Sequence, residues 1–270
     1  MSAKLHFMRN KPSNINLFAF TGVLSVTNYV IMRKATLLLT VIYSLSGFSQ
    51  NSDTTTIFDD FNSFLLDEVV FGLVDYEKLN KNPEQLNKLV DAIAKYNPSD
   101  STQDHKTAFY INAYNILVIK QVADNFPIKS PMDVKGFFKV NTFNVAGETL
   151  TLDGIEFTKL MSPTKDPRIH FALGCGARSC PFLYDNAFYP EKLQEQLEFR
   201  AELIIDRPNY VYVDNRNGRV ILNKIFDWYS DQFKYESESL IDYVNKYKFY
   251  KVPSDYVVEF QEYDWSLNDR

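Results

Sequence analysis

Residues 106–124 constrain the fold of this chain more than any other stretch. They have the length of a helix, and around Tyr110, Ile111, Asn112, Ala113, Tyr114 and Asn115 they are strongly apolar. An amphipathic surface helix keeps a polar face, whereas a helix this apolar has to be buried. The rest of the chain must therefore supply the elements that wrap it. Across 57–97, Phe58, Phe61, Phe64 and Leu65, then Leu79, Leu86, Leu89, Val90 and Ile93 recur at helical spacing, which predicts two amphipathic helices. The Asn-Pro-Ser-Asp-Ser turn at 97–101 separates them from the buried helix and offers it a cap.

Downstream, 144–150 reads as a hairpin turn, 152–156 leads into a short helix ending at Met161, and 168–174 reads as a buried strand. A long helix is predicted over 190–205, its stripe carried by Leu193, Leu197, Leu203 and Ile204. The clearest hairpin follows: Tyr210, Val211, Tyr212 and Val213 run into an Asn-Arg-Asn-Gly turn and return through Val220, Ile221 and Leu222. Ile225 opens another helix, and the aromatic, polar tail 252–270 is expected to pack on the core. Helices interspersed with short strands, without an internal repeat, predict a single α+β domain over 51–270, its helices packed on a small antiparallel sheet.

Residues 1–50 read as a leader. Arg33 and Lys34 precede the apolar run 35–43, and the small and polar residues from Ser44 to Gln50 suit a cleavage zone. Met32 is the expected start and the bond after Ser49 the expected cut, so the mature chain is expected in the periplasm or secreted. The run is shorter than the ~20 apolar residues of a spanning helix, which makes a membrane anchor the alternative. The leader carries Lys4, Arg9, Lys11, Arg33 and Lys34 and no acidic residue; its removal leaves 24 of 29 basic residues against 34 acidic, moving the formal charge from -5 to -10. Such acidity argues against nucleic acid or an anionic membrane surface as partner. A small-molecule or peptide-like substrate is the expectation, with no cofactor.

The chemistry concentrates in 166–183, which holds both cysteines, Cys175 and Cys180, and one of two histidines of the mature chain, His170. Its apparent strand ends at a glycine-rich turn containing Gly174, Gly176 and Arg178, where backbone N–H groups can face a ligand. Pro181 suits the first position of a helical turn and would place Cys180 at a helix N-terminus, where the helix dipole favours thiolate. Imidazole titrates near neutrality, so His170 can take the thiol proton and return it to a leaving group. Glu156, Asp166, Asn112 or Asn115 could orient the ring. On a regular strand His170 and Cys175 point to opposite faces, which favours Cys180 as nucleophile and Cys175 as its support. Blander readings stand beside this one. The cysteines could close a small disulfide loop, His170 could be a bonded core histidine, and Asn112 and Asn115 could satisfy buried backbone. His170, Cys175 and Cys180 could bind zinc, but a close cysteine pair and an evident fourth ligand are missing.

At 108–117, 152–156, 166–183, 189–200 and 224–233 the chain resembles the domain of unknown function numbered 547, a resemblance spanning about 75–233. One position departs: Phe157 stands where the family pattern carries a histidine after the glutamate. The resemblance implies a relation to papain-like and transglutaminase-like thiol enzymes, and it carries over Glu156, His170, Cys175 and Cys180 as the centre. The function expected is exported thiol-dependent acyl transfer or amide hydrolysis. In it Cys180, or Cys175, attacks a carbonyl, His170 moves the proton, Glu156 orients His170, and the glycine-containing loop stabilises the oxyanion. The alternative is a non-catalytic exported binding module with a Cys175–Cys180 disulfide.

Overall fold

A computed structural model describes residues 56–270 of the chain. The expected leader, start and cleavage point lie outside the described residues. Helix α1 (Ile57–Glu68) leads through a two-residue hairpin, β1 (Val69–Val70) and β2 (Leu73–Val74), to α2 (Tyr76–Lys81), α3 (Glu84–Lys95) and the central α4 (Gln103–Asn125). The region expected to form two helices thus forms three. Thr102 caps α4, its hydroxyl accepting the His105 N–H at 3.2 Å, and Pro127, lacking an N–H, stands just beyond the C-cap Phe126. Every residue from Thr107 to Ile119 is buried. The all-round apolar sequence is explained by helices and loops on every side, each fully buried aliphatic side chain contributing ~1.5–3 kcal/mol.

Strands β3 (Thr142–Val145) and β4 (Glu148–Thr151) form the expected hairpin. After α5 (Leu193–Ile205) come β5 (Val211–Asp214) and β6 (Arg219–Leu222), the hairpin read most clearly, then α6 (Leu240–Tyr247) and β7 (Val257–Phe260). The α+β class holds, but the sheet is not one small antiparallel sheet. There are three separate sheets among the described residues, and in the largest β5 pairs antiparallel with β6 while β7 pairs parallel with it. The parallel strand needs the long α6 crossover, which places the tail after β7 back beside the centre of the molecule.

Two apolar clusters result. One surrounds α4; the other joins α5 and α6 to the three-stranded sheet. The stretch 167–183 runs along their boundary: Ile169, Leu173 and Leu183 belong to the first cluster, Phe171 to the second. The buried strand expected over 168–174 does not form. Asp166 accepts the Arg168 N–H at 2.9 Å and Pro167 fixes the first φ, so Pro167–Phe171 coils into a 3-10 turn. That Asp-Pro start signal outweighed the apolar run behind it. No helix of the described residues is long and apolar enough to cross a membrane.

Candidate functional site

The 3-10 turn directs His170 inward, where its ring stacks on Tyr229 at 3.8 Å between centroids and meets Phe233 at 5.7 Å. Glu156 reaches the same place from a π-helix, Gly154–Met161, an uncommon coil whose widened turn often marks functional sites. Its carboxylate lies 3.5 Å from His170 Nδ1. Burial, with the Glu156 charge, pushes the Tyr229 phenol up, so this hydroxyl stays a donor. His170 Nε2 is 2.6 Å from Gln232 Oε1. Both ring nitrogens are therefore engaged, one by the carboxylate and one by an amide.

The cysteine loop is fixed from several directions. Asn115 accepts the Gly174 N–H at 2.8 Å and donates to the Ala172 carbonyl at 3.0 Å. Arg200 donates to the Phe171 carbonyl at 3.0 Å and the Phe182 carbonyl at 2.5 Å, and the Tyr210 hydroxyl donates to the Cys180 carbonyl at 2.7 Å. The tail closes the outer side: the Arg178 N–H reaches the Ser266 carbonyl, the Ser179 N–H the Asp264 carbonyl, and the Asn268 N–H the Gly176 carbonyl. Gly176 sits at φ +80°, a left-handed conformation that favours glycine, with Pro131 and Val118 packed where a Cβ would go. The expectation that the tail packs on the core holds, with Leu267 buried.

Both cysteines are free. Cys175 is half-buried and Cys180 buried, and the Cys175 N–H donates to Cys180 Sγ at 2.8 Å. Burial raises the Cys180 pKa well above its ordinary value, and the neighbouring Cys175 adds to that. At Cys175 burial also opposes ionisation. Hydrogen bonds from the Cys180 thiol, the Tyr263 hydroxyl and the Ala177 backbone outweigh it, and its pKa falls below the ordinary value. The Tyr263 hydroxyl is 3.3 Å from Cys175 Sγ. The placement that favoured Cys180 is corrected on two counts. No helix follows Pro181, so no helix dipole acts on Cys180, and His170 and Cys175 are not on one strand.

Glu156, His170, Cys175 and Cys180 all line one cavity of ≈ 330 Å³, roofed by Trp228, Tyr263 and Trp265. Asn112, Asn115, Gly174, Gly176 and Arg178 do not line it. Asn112 exchanges two hydrogen bonds with Phe188, at 2.8 and 2.9 Å, and so ties α4 to the start of the α5 region. Arg178 is exposed, its guanidinium 3.3 Å from the Asp269 carbonyl. The loop N–H groups expected to bind an oxyanion are largely engaged: those of Gly174, Cys175, Arg178, Ser179 and Cys180 already have acceptors. Among the described residues no His, Cys, Asp and Glu side chains gather in threes as a metal site, so the zinc arrangement is not formed. Sequence reasoning missed Tyr229, Gln232, Tyr263 and Trp265. The aromatic pairs Trp228–Tyr229 and Tyr263–Trp265 were the available signal, but nothing local tied them to residues up to 88 positions away.

Fold and site thus define a class: an α+β domain presenting two free thiols, an imidazole and a carboxylate to one aromatic-walled cavity. Residues 98–203 match the model of the family described as "Protein of unknown function, DUF547", so the resemblance read from the motifs holds over that stretch. The match contains α4, Glu156, His170 and both cysteines; Tyr229, Gln232 and the tail lie beyond it. No curated protein and no solved structure matches the chain.

Proposed function

We propose that the cavity carries out thiol-dependent acyl transfer or amide hydrolysis, with Cys175 as nucleophile. The observation that carries this reading is that Cys175, His170 and Glu156 line one cavity, with the Cys175 pKa held low. His170 takes the Cys175 thiol proton, thiolate attack on a carbonyl forms the acyl-sulfur bond, and the displaced amine or alcohol leaves with that proton. Water or an acceptor amine then breaks the acyl-sulfur bond, its proton returning through His170 to the Cys175 sulfur. Glu156, 3.5 Å from Nδ1, orients the ring. The Gln232 amide must release Nε2 for that transfer, so substrate entry has to displace it. Cys180 Sγ accepts the Cys175 N–H and donates to the Leu173 carbonyl, which holds the Cys175 backbone in place.

The reading keeps the expected export and the kinship with papain-like and transglutaminase-like thiol enzymes. A second reading, a binding module without catalysis, is favoured by the engagement of both His170 nitrogens and by the aromatic walls. Reduced protein incubated with p-nitrophenyl acetate separates the two. Acyl transfer requires a thioester on Cys175 found by peptide mass, nitrophenol release lost in Cys175→Ala, and release slowed about 10²–10⁴-fold in His170→Ala. Wild-type protein that forms no thioester leaves the binding module.

A further inference from the structure

The two thiols differ in a way that acyl transfer does not use. Both cysteines line the cavity, Cys175 half-buried and Cys180 buried, with the Cys180 sulfur 2.8 Å from the Cys175 amide nitrogen and donating to the Leu173 carbonyl at 3.6 Å. We propose that Cys175 and Cys180 act as a dithiol that reduces small disulfides, the more exposed Cys175 attacking and the buried Cys180 resolving. The thiolate of Cys175 attacks one sulfur of R–S–S–R, forming a Cys175–S–S–R bond and expelling R–S⁻. The buried Cys180 thiol gives its proton to that released thiolate. Cys180 sulfur then attacks Cys175 sulfur, breaking the bond to R and expelling the second R–S⁻, which takes a proton from water. The protein is oxidised by two electrons to a Cys175–Cys180 disulfide, and the substrate disulfide is reduced to two thiols.

Three structural facts support the division of labour. The Tyr263 hydroxyl lies 3.3 Å from the Cys175 sulfur, where it can donate to the thiolate and favour it. Cys180 is the more buried of the two, and burial raises its pKa, which makes it the less reactive thiol before the mixed disulfide forms. The Cys180 sulfur sits 2.8 Å from the Cys175 amide nitrogen, so the two side chains are neighbours and a rotation of Cys175 is the step that closes the ~2.05 Å disulfide. The aromatic roof of Trp228, Tyr263 and Trp265 suits a disulfide carrying flat or apolar groups.

The test uses reduced protein, freed of reductant, with 5,5′-dithiobis(2-nitrobenzoate) as the probe. Wild type should release two thionitrobenzoate ions per protein and finish without adduct as an intramolecular disulfide, seen as a loss of two hydrogens by intact mass. Cys180→Ser, with Cys180→Ala as a second variant checked by circular dichroism, should release one ion and retain the adduct on Cys175. Cys175→Ser should react at least about tenfold more slowly than wild type. A stable adduct on the wild type, or a Cys175→Ser variant as fast as wild type, overturns the proposal. No acyl probe is involved, so this activity and acyl transfer can each fail alone.

Discussion

Helix α4 and the cysteine loop both run through the interior, and they satisfy their backbones in opposite ways. In α4 the peptide groups pair within the helix, so its side chains are free to be apolar on every face. The loop from Ala172 to Phe182 has no ladder of its own, and its carbonyls and N–H groups are taken by Asn115, Arg200, Tyr210, Asn223 and the tail. A helix can be built from a local pattern. A buried irregular loop has to be built from polar side chains spread over the whole chain, because an unpaired buried peptide group costs ~1–3 kcal/mol. What the loop gains is sulfur atoms held at defined positions against a cavity, with backbone groups aimed at them.

The comparison breaks most easily at Arg200. It is buried with no carboxylate partner among the described residues, its guanidinium packed 4.3 Å over the Phe182 ring, and burial draws its pKa down to about 10, which still leaves it charged at neutral pH. Arg200→Met should lower stability by about 3 kcal/mol, since it orphans the Phe171 and Phe182 carbonyls while relieving part of the cost of the buried charge. Urea unfolding checks this, and a loss below about 1 kcal/mol means the loop is held by other anchors.

Asn115 and Asn112 sharpen the same contrast. They stand three residues apart on α4, both buried, each bonded in both directions to backbone outside the helix. Asn112→Ala and Asn115→Ala should each cost about 2 kcal/mol. Only Asn115→Ala should also slow iodoacetamide labelling of Cys175, because only Asn115 holds Gly174. Equal labelling in the two variants removes Asn115 from the positioning of the site.

The same contrast explains how much was legible. The helix 106–124, the hairpin ending at Leu222 and the α+β class follow from local periodicity, and local periodicity is what these elements are made of. Glu156, His170, Cys175 and Cys180 were legible as a set because they sit in two short motifs, and the structure gathers them on one cavity. Which thiol is accessible was not legible, since it depends on the tail folding back over Ala177 and Arg178 and on Tyr263, 88 residues beyond Cys175. The apolar run 168–174 imitated a strand, and Asn112 and Asn115 were legible as polar residues in a buried helix but not as clamps on two separate loops.

The smallest expected effect tests the finest difference between the two sulfurs. Tyr263 donates its hydroxyl to Cys175, and burial pushes the phenol pKa well up, so it remains a donor across the range in which the thiol titrates. Tyr263→Phe keeps the ring against Trp228 and Trp265, at 4.7 Å from each, and removes only the oxygen. Loss of one hydrogen bond to a charged sulfur is worth ~1.5 kcal/mol, and one pKa unit corresponds to ~1.4 kcal/mol, so the Cys175 pKa should rise by about 1. Thiolate is the reactive form and its fraction grows with pH through the pKa. The alkylation profile of reduced protein should therefore keep its shape and move by that amount toward higher pH, with labelling slowest relative to wild type on the acid side and equal once both are ionised. Stability should change little, since the ring packing is retained. A profile that stays in place means the Cys180 thiol and the Ala177 backbone hold the thiolate without Tyr263. A profile that flattens, with Cys180 labelled as well, means the hydroxyl keeps the tail closed over the buried thiol.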